Sequence, residues 1–283
     1  MTDRTITGTR NSEAPNPSAG EQERRIVVCY DIKEGRVVKG TSFVDLADQG
    51  DPANLVAGPA AAGADELVLL DIVGAPVGRP AFLKIVERAT AAASVPIAVG
   101  GGIRTLADID KVLSAGAAKV GINSAIVADP NLLTAAANEF GSQRLVAAID
   151  AKRNESADAY QEQAKFDVYV GGGLKPTDLD AVTWAKECEA RGAGEILLTS
   201  IDRDGQRTGF DLTLTEQVAA AVGIPVTASG GVGAAQDFVE LFQRTRAAAG
   251  LAAGVIHDGT LTATDIRSAL ASAGIRTTKE RPL

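Results

Sequence analysis

Short apolar runs alternate with helical patterns of hydrophobic residues along the chain from Arg24 onward. The first run, Ile26–Asp31, is rich in β-branched residues and opens into a charged segment that closes on Lys39 and Gly40. An apolar run bounded by polar residues and glycine predicts a buried strand. Further strands are predicted at Glu66–Asp71, Pro96–Gly100, Lys119–Asn123, Leu145–Asp150, Glu195–Ser200, Ile224–Ser229 and Leu251–Val255.

Between these runs, hydrophobic residues recur at positions i, i+3 and i+4. This spacing predicts helices at Asp51–Ala62, Ala81–Ala93, Leu106–Ala115, Pro130–Phe140, Leu179–Arg191, Leu212–Val222, Ala235–Arg246 and Ala263–Ala273. Near-continuous apolar strands separated by helices indicate a parallel sheet that is covered on both faces. Eight such units in one chain predict an α/β fold of the (βα)8 TIM-barrel type, with an open doubly wound sheet as the alternative.

The two halves of the chain resemble each other, which favours a barrel with a two-fold half-barrel repeat. Val27–Lys33 (VVCYDIK) parallels Val146–Lys152 (VAAIDAK). The match places Asp31 and Asp150 in equivalent positions at the ends of two strands.

An insertion of 10 residues after Asp150 distinguishes the second half from the first. Glu66 and Glu195, in the strands that follow the two aspartates, are 129 residues apart (195 − 66), whereas the aspartates are 119 apart (150 − 31). The insertion falls at Arg153–Thr177. We expect it to form a small hairpin over the barrel mouth, with Gly171–Gly173 as its hinge.

Composition limits the class of protein. The chain has 283 residues, 45% of them hydrophobic, and a mean hydropathy of +0.06, which suits one barrel with a sizeable core. No apolar run reaches the roughly 20 residues of a membrane span, and the net charge of −8 argues against nucleic-acid binding. Cys29 and Cys188 form no disulfide framework, which favours a cytoplasmic protein.

The ends of the chain differ from its middle. Residues 1–23 are rich in Thr, Ser, Asn, Pro, Gly and Glu, carry almost no apolar residues and contain no hydrophobic signal-peptide segment. We therefore predict a disordered extension over residues 1–23, the barrel over 24–276 and a C-terminal tail over 277–283.

Asp31 and Asp150 end strands on opposite sides of the predicted barrel, at the same face. Barrel enzymes carry their catalytic groups at this face. Two carboxyl groups across one cavity suit paired acid and base chemistry, because different environments can separate their pKa values. The alternative is that each aspartate merely caps the loop that follows it; the matched pair favours catalysis.

Glycine clusters follow two equivalent strands, at Gly100–Gly102 and at Gly230–Gly231. Glycine lets backbone N–H groups approach a phosphate closely. The neighbouring strand ends, Gly121–Ser124 and Ala253–Val255, are placed to complete a cup beside each cluster. A lone pair of glycines is usually only a tight turn, but two symmetry-related cups predict a ligand with a phosphate group at each end.

Charged residues begin four of the predicted strands: Arg25, Glu66, Lys119 and Glu195. On the pattern alone, the favoured interpretation is a set of solvated charges on the bottom of the barrel. The alternative is a closed ring of two cations and two anions beneath the core, which burial permits only if the charges pair with one another.

His257, the single histidine, follows the last predicted strand, where packing in a loop is favoured over catalysis. One histidine and two distant cysteines form no recognisable zinc site. The chain contains no Gly-x-Gly-x-x-Gly fingerprint and no P-loop. We therefore predict neither a metal nor a cofactor.

The chain contains, in this order, CYDIKEGRVVKG, DELVLLDI, VGGGIRT, KVGINSA, GSQRLVAAIDAKR, RGAGEILLTSIDRDGQRTGFD and ASGGVG. From about Arg25 to His257 it resembles the cyclase subunit of imidazole glycerol phosphate synthase, from histidine biosynthesis. The sister isomerase of that pathway shares the paired aspartates and the phosphate cups. The Val-Val-Lys-Gly loop and the Leu-Leu-Thr-Ser-Ile-Asp-Arg-Asp-Gly segment are those of the cyclase.

The resemblance implies a partner and a reaction. A glutamine amidotransferase subunit would form a heterodimer with this chain at the bottom of the barrel and release ammonia, which would pass up through the barrel. The ammonia would react with a small bis-phosphorylated substrate, a ribulosyl aminoimidazole carboxamide nucleotide. The products would be imidazole glycerol phosphate and an aminoimidazole carboxamide ribotide.

The resemblance also implies roles for single residues. Asp31 and Asp150 would be the acid and base of cyclisation and cleavage. The substrate would be bound by Lys39 on a mobile loop, by Gly101, Gly102, Asn123 and Ser124 in one phosphate cup, by Gly230, Gly231 and Gly254 in the other, and by Thr199 and Asp204. Arg25, Glu66, Lys119 and Glu195 match the family's ammonia gate, which favours the ring over solvated charges.

The chain departs from the family's pattern at Tyr30, Val73–Ala75, Ala118, Arg244–Gly250 and Gly254. Tyr30 is expected to place a bulky phenol beside Asp31, and Ala118 to lie near the amidotransferase interface. These departures leave open a paralogue that delivers ammonia to a different acceptor, such as a sugar or a secondary metabolite. A phosphoribosyl isomerase-type barrel and a non-catalytic scaffold also stay open as hypotheses.

Overall fold

The computed structural model describes residues 23–34, 36–41, 44–58, 61–72, 80–158 and 164–278. Its strands are β1 Arg25–Lys33, β2 Arg36–Thr41, β3 Val44–Gly50, β4 Glu66–Asp71, β5 Ile97–Gly100, β6 Lys119–Ile122, β7 Leu145–Arg153, β8 Phe166–Val170, β9 Lys175–Asp180, β10 Glu195–Ser200, β11 Val226–Ser229 and β12 Ala249–Ala252. Its α-helices are α1 Pro52–Val56, α2 Pro80–Ala92, α3 Leu106–Ser114, α4 Ser124–Ala128, α5 Asn131–Phe140, α6 Glu155–Asp158, α7 Ala181–Ala190, α8 Leu212–Ala221, α9 Ala235–Arg244, α10 Gly254–His257 and α11 Ala263–Ser272. Three predicted features lie wholly or partly outside these ranges: residues 1–22 of the extension predicted over 1–23, the departure at Val73–Ala75, and the predicted tail beyond Thr278.

Eight of the described strands close into a parallel barrel. β1 pairs with β4, and β5, β6, β7, β10, β11 and β12 follow in turn around the barrel. β12 pairs again with β1, from Arg25 opposite Ala249 to Val28 opposite Ala252, and this pairing closes the sheet. The predicted TIM barrel is confirmed, and the open doubly wound sheet is excluded.

The strands sort their side chains by alternation, because successive residues point to opposite faces. Along β1, Val27 and Cys29 belong to a small apolar cluster inside the barrel, whereas Ile26, Val28 and Tyr30 belong to the large cluster packed under the helices. The inner cluster consists of Val27, Cys29, Val68, Ala98, Ala249 and Leu251, with Leu70, Leu197 and Ala253 against it. The centre of the barrel is therefore apolar.

The half-barrel repeat is in register. Val27 pairs with Glu66 in the first half, as Val146 pairs with Glu195 in the second. Asp31 likewise pairs with Leu70, and Asp150 with the equivalent residue of β10. Both aspartates therefore lie at the same level of the barrel, which confirms the predicted equivalence.

Local signals begin several of the helices. Thr105 and Asp108 form a capping box at the start of α3, in which each side chain accepts from the other's backbone N–H. Asp211 caps α8 by accepting from the N–H of Leu214 at 3.0 Å.

Within the part of the chain that the structure covers, no helix combines the length and the apolar character needed to cross a bilayer.

The segment after β1 differs from the prediction. Where a loop was expected after Asp31, β2 folds back on β1 and pairs with β3, so an antiparallel hairpin extends the sheet. The helix predicted at Asp51–Ala62 spans only α1, Pro52–Val56, with Asp51 as its N-cap. Gly58 and Pro59 follow α1, and relative to alanine they cost about 1 and about 3 kcal/mol in a helix interior.

The last strand was predicted at Leu251–Val255, and this was wrong: β12 spans Ala249–Ala252, and α10 begins at Gly254. The pairing with β1 determines the register, and the small residues before Leu251 allow it. A Cβ atom on Gly250 would lie only 2.6 Å from the ring of Phe238, so the backbone of β12 packs directly on α9 at this residue.

The insertion after Asp150 forms a hairpin, as predicted. β8 runs antiparallel to the extended end of β7, with Tyr169 opposite Asp150, and β9 returns beside it. The glycines Gly171–Gly173 form the turn between the two strands, with φ values of 66°, 70° and 77°, and are not a hinge at its base.

Candidate active site

Asp31 and Asp150 lie half-buried at the C-terminal ends of β1 and β7, across the barrel mouth. Burial raises the pKa of Asp31 to about 7, and the negative charge of Asp204 adds to the shift. Burial also raises the pKa of Asp150 to about 6; there the side chain of Asn123 opposes the shift and Asp204 adds to it. Around neutral pH the pair therefore contains a carboxyl that holds its proton more readily and one that releases it more readily.

Asp204 is a third acidic group of the mouth. It lies in the turn after β10, where its N–H donates to the carbonyl of Ser200 at 3.0 Å. Burial raises the pKa of Asp204, and the backbone N–H of Gly205 opposes that shift. The charge of Asp204 acts on both Asp31 and Asp150, so it lies close enough to influence both candidates.

Asn123 and Ser124 follow β6, as predicted, but their side chains already have partners inside the protein. Nδ2 of Asn123 donates to Oδ2 of Asp150 at 2.9 Å, while its Oδ1 is buried without a partner. Oγ of Ser124 accepts from the N–H of Gly171 at 3.0 Å and thus ties the β8–β9 hairpin to the end of β6. The contact of Asn123 with a catalytic candidate was not predicted from sequence.

The predicted phosphate cups contain glycines in the left-handed region. The φ values of Gly101 and Gly102 are 95° and 67°, and those of Gly230 and Gly231 are 92° and 99°. A Cβ atom on Gly101 would lie 2.2 Å from the carbonyl oxygen of Asp71, so backbone packing alone already requires glycine there. Gly254 is different, because nothing lies within 4 Å of a Cβ atom placed on it.

Two further predicted residues take their positions from strand pairing. Thr199, near the end of β10, pairs directly with Asp150. Lys39 lies in β2 and pairs with Ala47 of β3; its side chain is outside the described part of the chain. The segment that carries Lys39 is thus a strand of a hairpin beside the mouth.

The four charged residues at the strand starts form a closed ring beneath the barrel. Arg25 donates to Glu66 at 2.6 Å and to Glu195 at 2.7 Å, and Lys119 donates to the same two glutamates at 2.8 and 2.6 Å. The glutamates are 6% and 7% exposed. The ring is the arrangement that the resemblance favoured, and the alternative of four solvated charges is wrong.

The charges of the ring stabilise one another. Burial alone would raise the pKa of Glu195, but Arg25 and Lys119 hold that pKa below its ordinary value. Burial alone would lower the pKa of Arg25, but Glu195 and Glu66 raise it.

A cavity of about 500 Å³ lies below the ring and includes Gln143 and Thr278 in its lining. Sequence reasoning also missed Thr227, whose hydroxyl donates to Glu195 at 2.6 Å.

Tyr30 does not place its phenol beside Asp31, contrary to the prediction. Adjacent residues of a strand point to opposite faces, and Tyr30 points outward, where its hydroxyl donates to the carbonyl of Leu55 at 3.2 Å. His257 stacks on Tyr30 with 5.2 Å between ring centres, and its Nε2 lies 2.7 Å from the carbonyl oxygen of Cys29. The histidine therefore has a packing role, as expected, but it ends α10 on the outer face of β1 and does not lie in a loop.

The fold and the site define a (βα)8-barrel enzyme with half-buried aspartates at its C-terminal mouth and an ion-paired ring at its base. The family model for the histidine biosynthesis protein matches residues 25–262, and the chain belongs to this family.

Similar proteins include the imidazole glycerol phosphate synthase subunit HisF of Myxococcus xanthus, which is 52% identical over 252 residues, 89% of this chain and 96% of that protein. The subunit HisF of Anoxybacillus flavithermus is 51% identical over 83% of this chain and 90% of that protein. The subunit HisF of Acidobacterium capsulatum is 49% identical over 89% of this chain and 96% of that protein. The residues matched by the family model include every strand of the barrel, from β1 to β12.

Proposed function

We propose that this chain is the cyclase subunit of imidazole glycerol phosphate synthase in histidine biosynthesis. It uses ammonia to convert the bis-phosphorylated ribulosyl aminoimidazole carboxamide nucleotide into imidazole glycerol phosphate and an aminoimidazole carboxamide ribotide. The observation that carries the proposal is the combination of two features in a family member about 50% identical to named HisF subunits. These are a pair of half-buried aspartates at the mouth and a closed ring of charges at the base.

Asp31 and Asp150 serve as the general acid and the general base of this proposal. With a pKa of about 7, Asp31 still carries its proton in much of the protein near neutrality and can donate it to a leaving group. Asp150, with a pKa of about 6, is mostly ionised there and can accept a proton. Ammonia addition, ring closure and cleavage of the carbon–nitrogen bond all require proton transfer to or from the substrate. An acid and a base on opposite sides of the mouth can carry out these transfers.

The phosphate groups of the substrate are assigned to the glycine turns. Gly101 and Gly102, with Asn123 and Ser124 beside them, bind one phosphate, and Gly230, Gly231 and Gly254 bind the other. Support comes from the repeat, which places equivalent turns on opposite sides of the mouth. Thr199 and Asp204 contact the part of the substrate between the phosphates, and Lys39 closes over it from the β2–β3 hairpin.

Ammonia reaches this mouth from below. The relatives are named as subunits, and we infer that the partner is a glutamine amidotransferase subunit that docks over the basal cavity and forms a heterodimer. The inner cluster of apolar side chains between the ring and Asp31 offers a path without charged groups. Because Arg25 and Lys119 bridge both glutamates, ammonia passes only when this gate opens.

The hypothesis of a changed acceptor loses one of its arguments, because Tyr30 packs outside the barrel. An isomerase without a partner would explain the aspartates but would leave the closed ring without a role. The other departures remain, at Val73–Ala75, Ala118, Arg244–Gly250 and Gly254. Ala118 is exposed next to Lys119, on the face that we assign to the partner.

Turnover of the bis-phosphorylated substrate with an excess of ammonium salt near neutral pH, where Asp31 is still partly protonated, tests the proposal without the partner. We expect imidazole glycerol phosphate and the ribotide to form in equal amounts. Asp31→Asn and Asp150→Asn should each abolish turnover while the protein still binds substrate. A folded wild-type protein that releases neither product would contradict the proposed function.

A further inference from the structure

One hydroxyl in the barrel wall touches the ring of charges. Thr227 lies in β11, where it is 3% exposed, and its Oγ1 donates to Oε1 of Glu195 at 2.6 Å. The same oxygen accepts from Arg25 at 2.7 Å, and Oε2 accepts from Lys119 at 2.6 Å. Three donors therefore hold Glu195, and they hold it at both carboxylate oxygens.

Glu66, the equivalent glutamate of the first half, is held differently. Arg25 and Lys119 both donate to its Oε2, at 2.6 and 2.8 Å. The terminal torsion of a glutamate is broad, so a carboxylate held through one oxygen turns more easily than one held through both. The two glutamates are almost equally buried, at 6% and 7% exposure, so solvent access does not explain the difference.

The half-barrel repeat shows where this asymmetry arises. Leu197 pairs with Thr227 in the second half, and Val68 pairs with Ala98 in the first. Both members of each pair are 129 residues from their counterparts (197 − 68 and 227 − 98). Ala98 thus presents a methyl group where Thr227 presents a hydroxyl, and only one side of the ring receives the extra donor.

The number of contacts decides which glutamate releases the cations at lower cost. Moving Glu195 away breaks three hydrogen bonds to a charged group, whereas moving Glu66 away breaks two. Charge-assisted hydrogen bonds are the strong ones, and they are stronger still out of water. If Glu66 turns, Arg25 and Lys119 both keep a carboxylate partner in Glu195.

We propose that Thr227 is a positioning residue of the ammonia gate, which keeps Glu195 stationary so that the ring opens at Glu66. The inference rests on the proposed function, because it concerns the entry of ammonia into that reaction. Thr227 contacts neither substrate nor ammonia in this role. It acts through the orientation of one carboxylate.

The test compares Thr227→Val, which keeps the shape and removes the hydroxyl, with Thr227→Ser, which keeps the hydroxyl. Each variant is assayed in complex with a glutamine amidotransferase subunit, with glutamine and separately with ammonium salt. A matched control is Thr215→Val, because Thr215 is equally buried, at 3% exposure, but lies on α8. Thr227→Ala is a second variant without the hydroxyl.

We expect Thr227→Val and Thr227→Ala to lower glutamine-dependent turnover about tenfold, the size set by one hydrogen bond to a charged group. Ammonium-dependent turnover should stay within about twofold, since the aspartates at the mouth are untouched. The product formed per glutamate released should also fall in these variants. Thr227→Ser and Thr215→Val should behave like the wild type.

Three results would overturn the inference while leaving the proposed function intact. The first is that neither activity changes in Thr227→Val, and the second is an equal loss of both activities in that variant. Failure of Thr227→Ser to restore coupling would overturn it as well, because the hydroxyl would then not be the cause. A wild-type complex inactive with both nitrogen sources would instead contradict the proposed function itself.

Discussion

Nδ2 of Asn123 donates a hydrogen bond to Oδ2 of Asp150 at 2.9 Å. The partner of Asp31 is far weaker: the thiol of Cys29, whose sulfur lies 4.0 Å from Oδ1. A hydrogen bond to the charged form of a carboxyl lowers its pKa, so the amide of Asn123 lowers the pKa of Asp150 but not that of Asp31. Burial raises the pKa of both groups, to about 6 for Asp150 and to about 7 for Asp31.

The pair predicts a bell-shaped pH dependence of kcat/KM for the nucleotide substrate. Activity should fall below about pH 6 as Asp150 takes up a proton, and above about pH 7 as Asp31 loses one. The measurement uses glutamine with the partner subunit, because free ammonium has its own protonation equilibrium. A flat profile from about pH 5 to about pH 8, a range that includes both pKa values, would contradict the acid and base roles.

Asn123→Ala should move the acidic limb of that profile to higher pH. Without the amide, the ionised form of Asp150 loses its stabilising donor, so its pKa rises above about 6. Asn131→Ala is the control, because Asn131 is an exposed residue of α5 whose side chain accepts from Arg191, away from the mouth. An acidic limb that stays in place would show that the amide does not set the pKa of Asp150.

Asp31→Asn should stabilise the protein at pH 8 while abolishing turnover. Folding raises the pKa of this carboxyl from 3.8 to about 7. The free energy of unfolding of the wild type therefore falls as the pH rises through this range, because the folded state must give up a proton that it holds more tightly than the unfolded state does. The gain from a neutral amide is at most about 4 kcal/mol at pH 8 and vanishes below about pH 4.

Thermal unfolding at pH 8 and pH 4 checks this expectation. Asp110→Asn on α3 is the control, since Asp110 is exposed and should change neither quantity. A melting temperature of Asp31→Asn below that of the wild type at pH 8 would contradict the stated cause of the raised pKa. Retained turnover would remove Asp31 from the acid role.

Lys119→Met should cost about 3 kcal/mol in unfolding free energy, because it leaves two buried glutamates with Arg25 alone. Adding Glu66→Gln should recover much of this loss, since one cation then faces one anion. Both variants should lose glutamine-dependent turnover more than ammonium-dependent turnover. Urea unfolding and the two assays measure these effects; equal losses in both assays would contradict the gate.

Gly231→Ala should be strongly destabilising, whereas Gly254→Ser should be tolerated. Gly231 has a φ of 99°, and a Cβ atom there would lie 2.2 Å from the carbonyl oxygen of Gly209. Gly254 has open space around its Cβ position. We expect a loss above about 2 kcal/mol for the first and under about 0.5 kcal/mol for the second, measured by chemical unfolding. A larger loss for Gly254→Ser would place an unseen contact at α10.

Much of the candidate site could be predicted from local pattern. The apolar runs located the eight barrel strands, and the repeat paired Asp31 with Asp150, because alternation and apolar content are properties of a short stretch of chain. The outward position of Tyr30 was also within reach of the sequence, since it stands next to Asp31 in a strand of period two. The period of the strand alone contradicts a phenol beside Asp31.

The remaining features depended on closure of the barrel. The position of β12 follows from its pairing with β1, and the hairpin of β2 and β3 forms against the end of β1. Both depend on which strand edges become available, which a window of sequence does not contain. A predicted boundary near Leu251 therefore moved by two residues when the register was decided elsewhere.

By itself, the sequence determined the eightfold alternation, the equivalent aspartates and the positions of the four charges at the strand starts. Only the tertiary structure decided that these charges close into a ring, that Asn123 holds Asp150 and that Thr227 holds Glu195. Glu66 and Glu195 stand far apart in the chain, and the curvature of a closed sheet brings them onto the same two cations. Hydrophobic periodicity acts locally, whereas pairing of buried charges depends on the distance between strands that only closure sets.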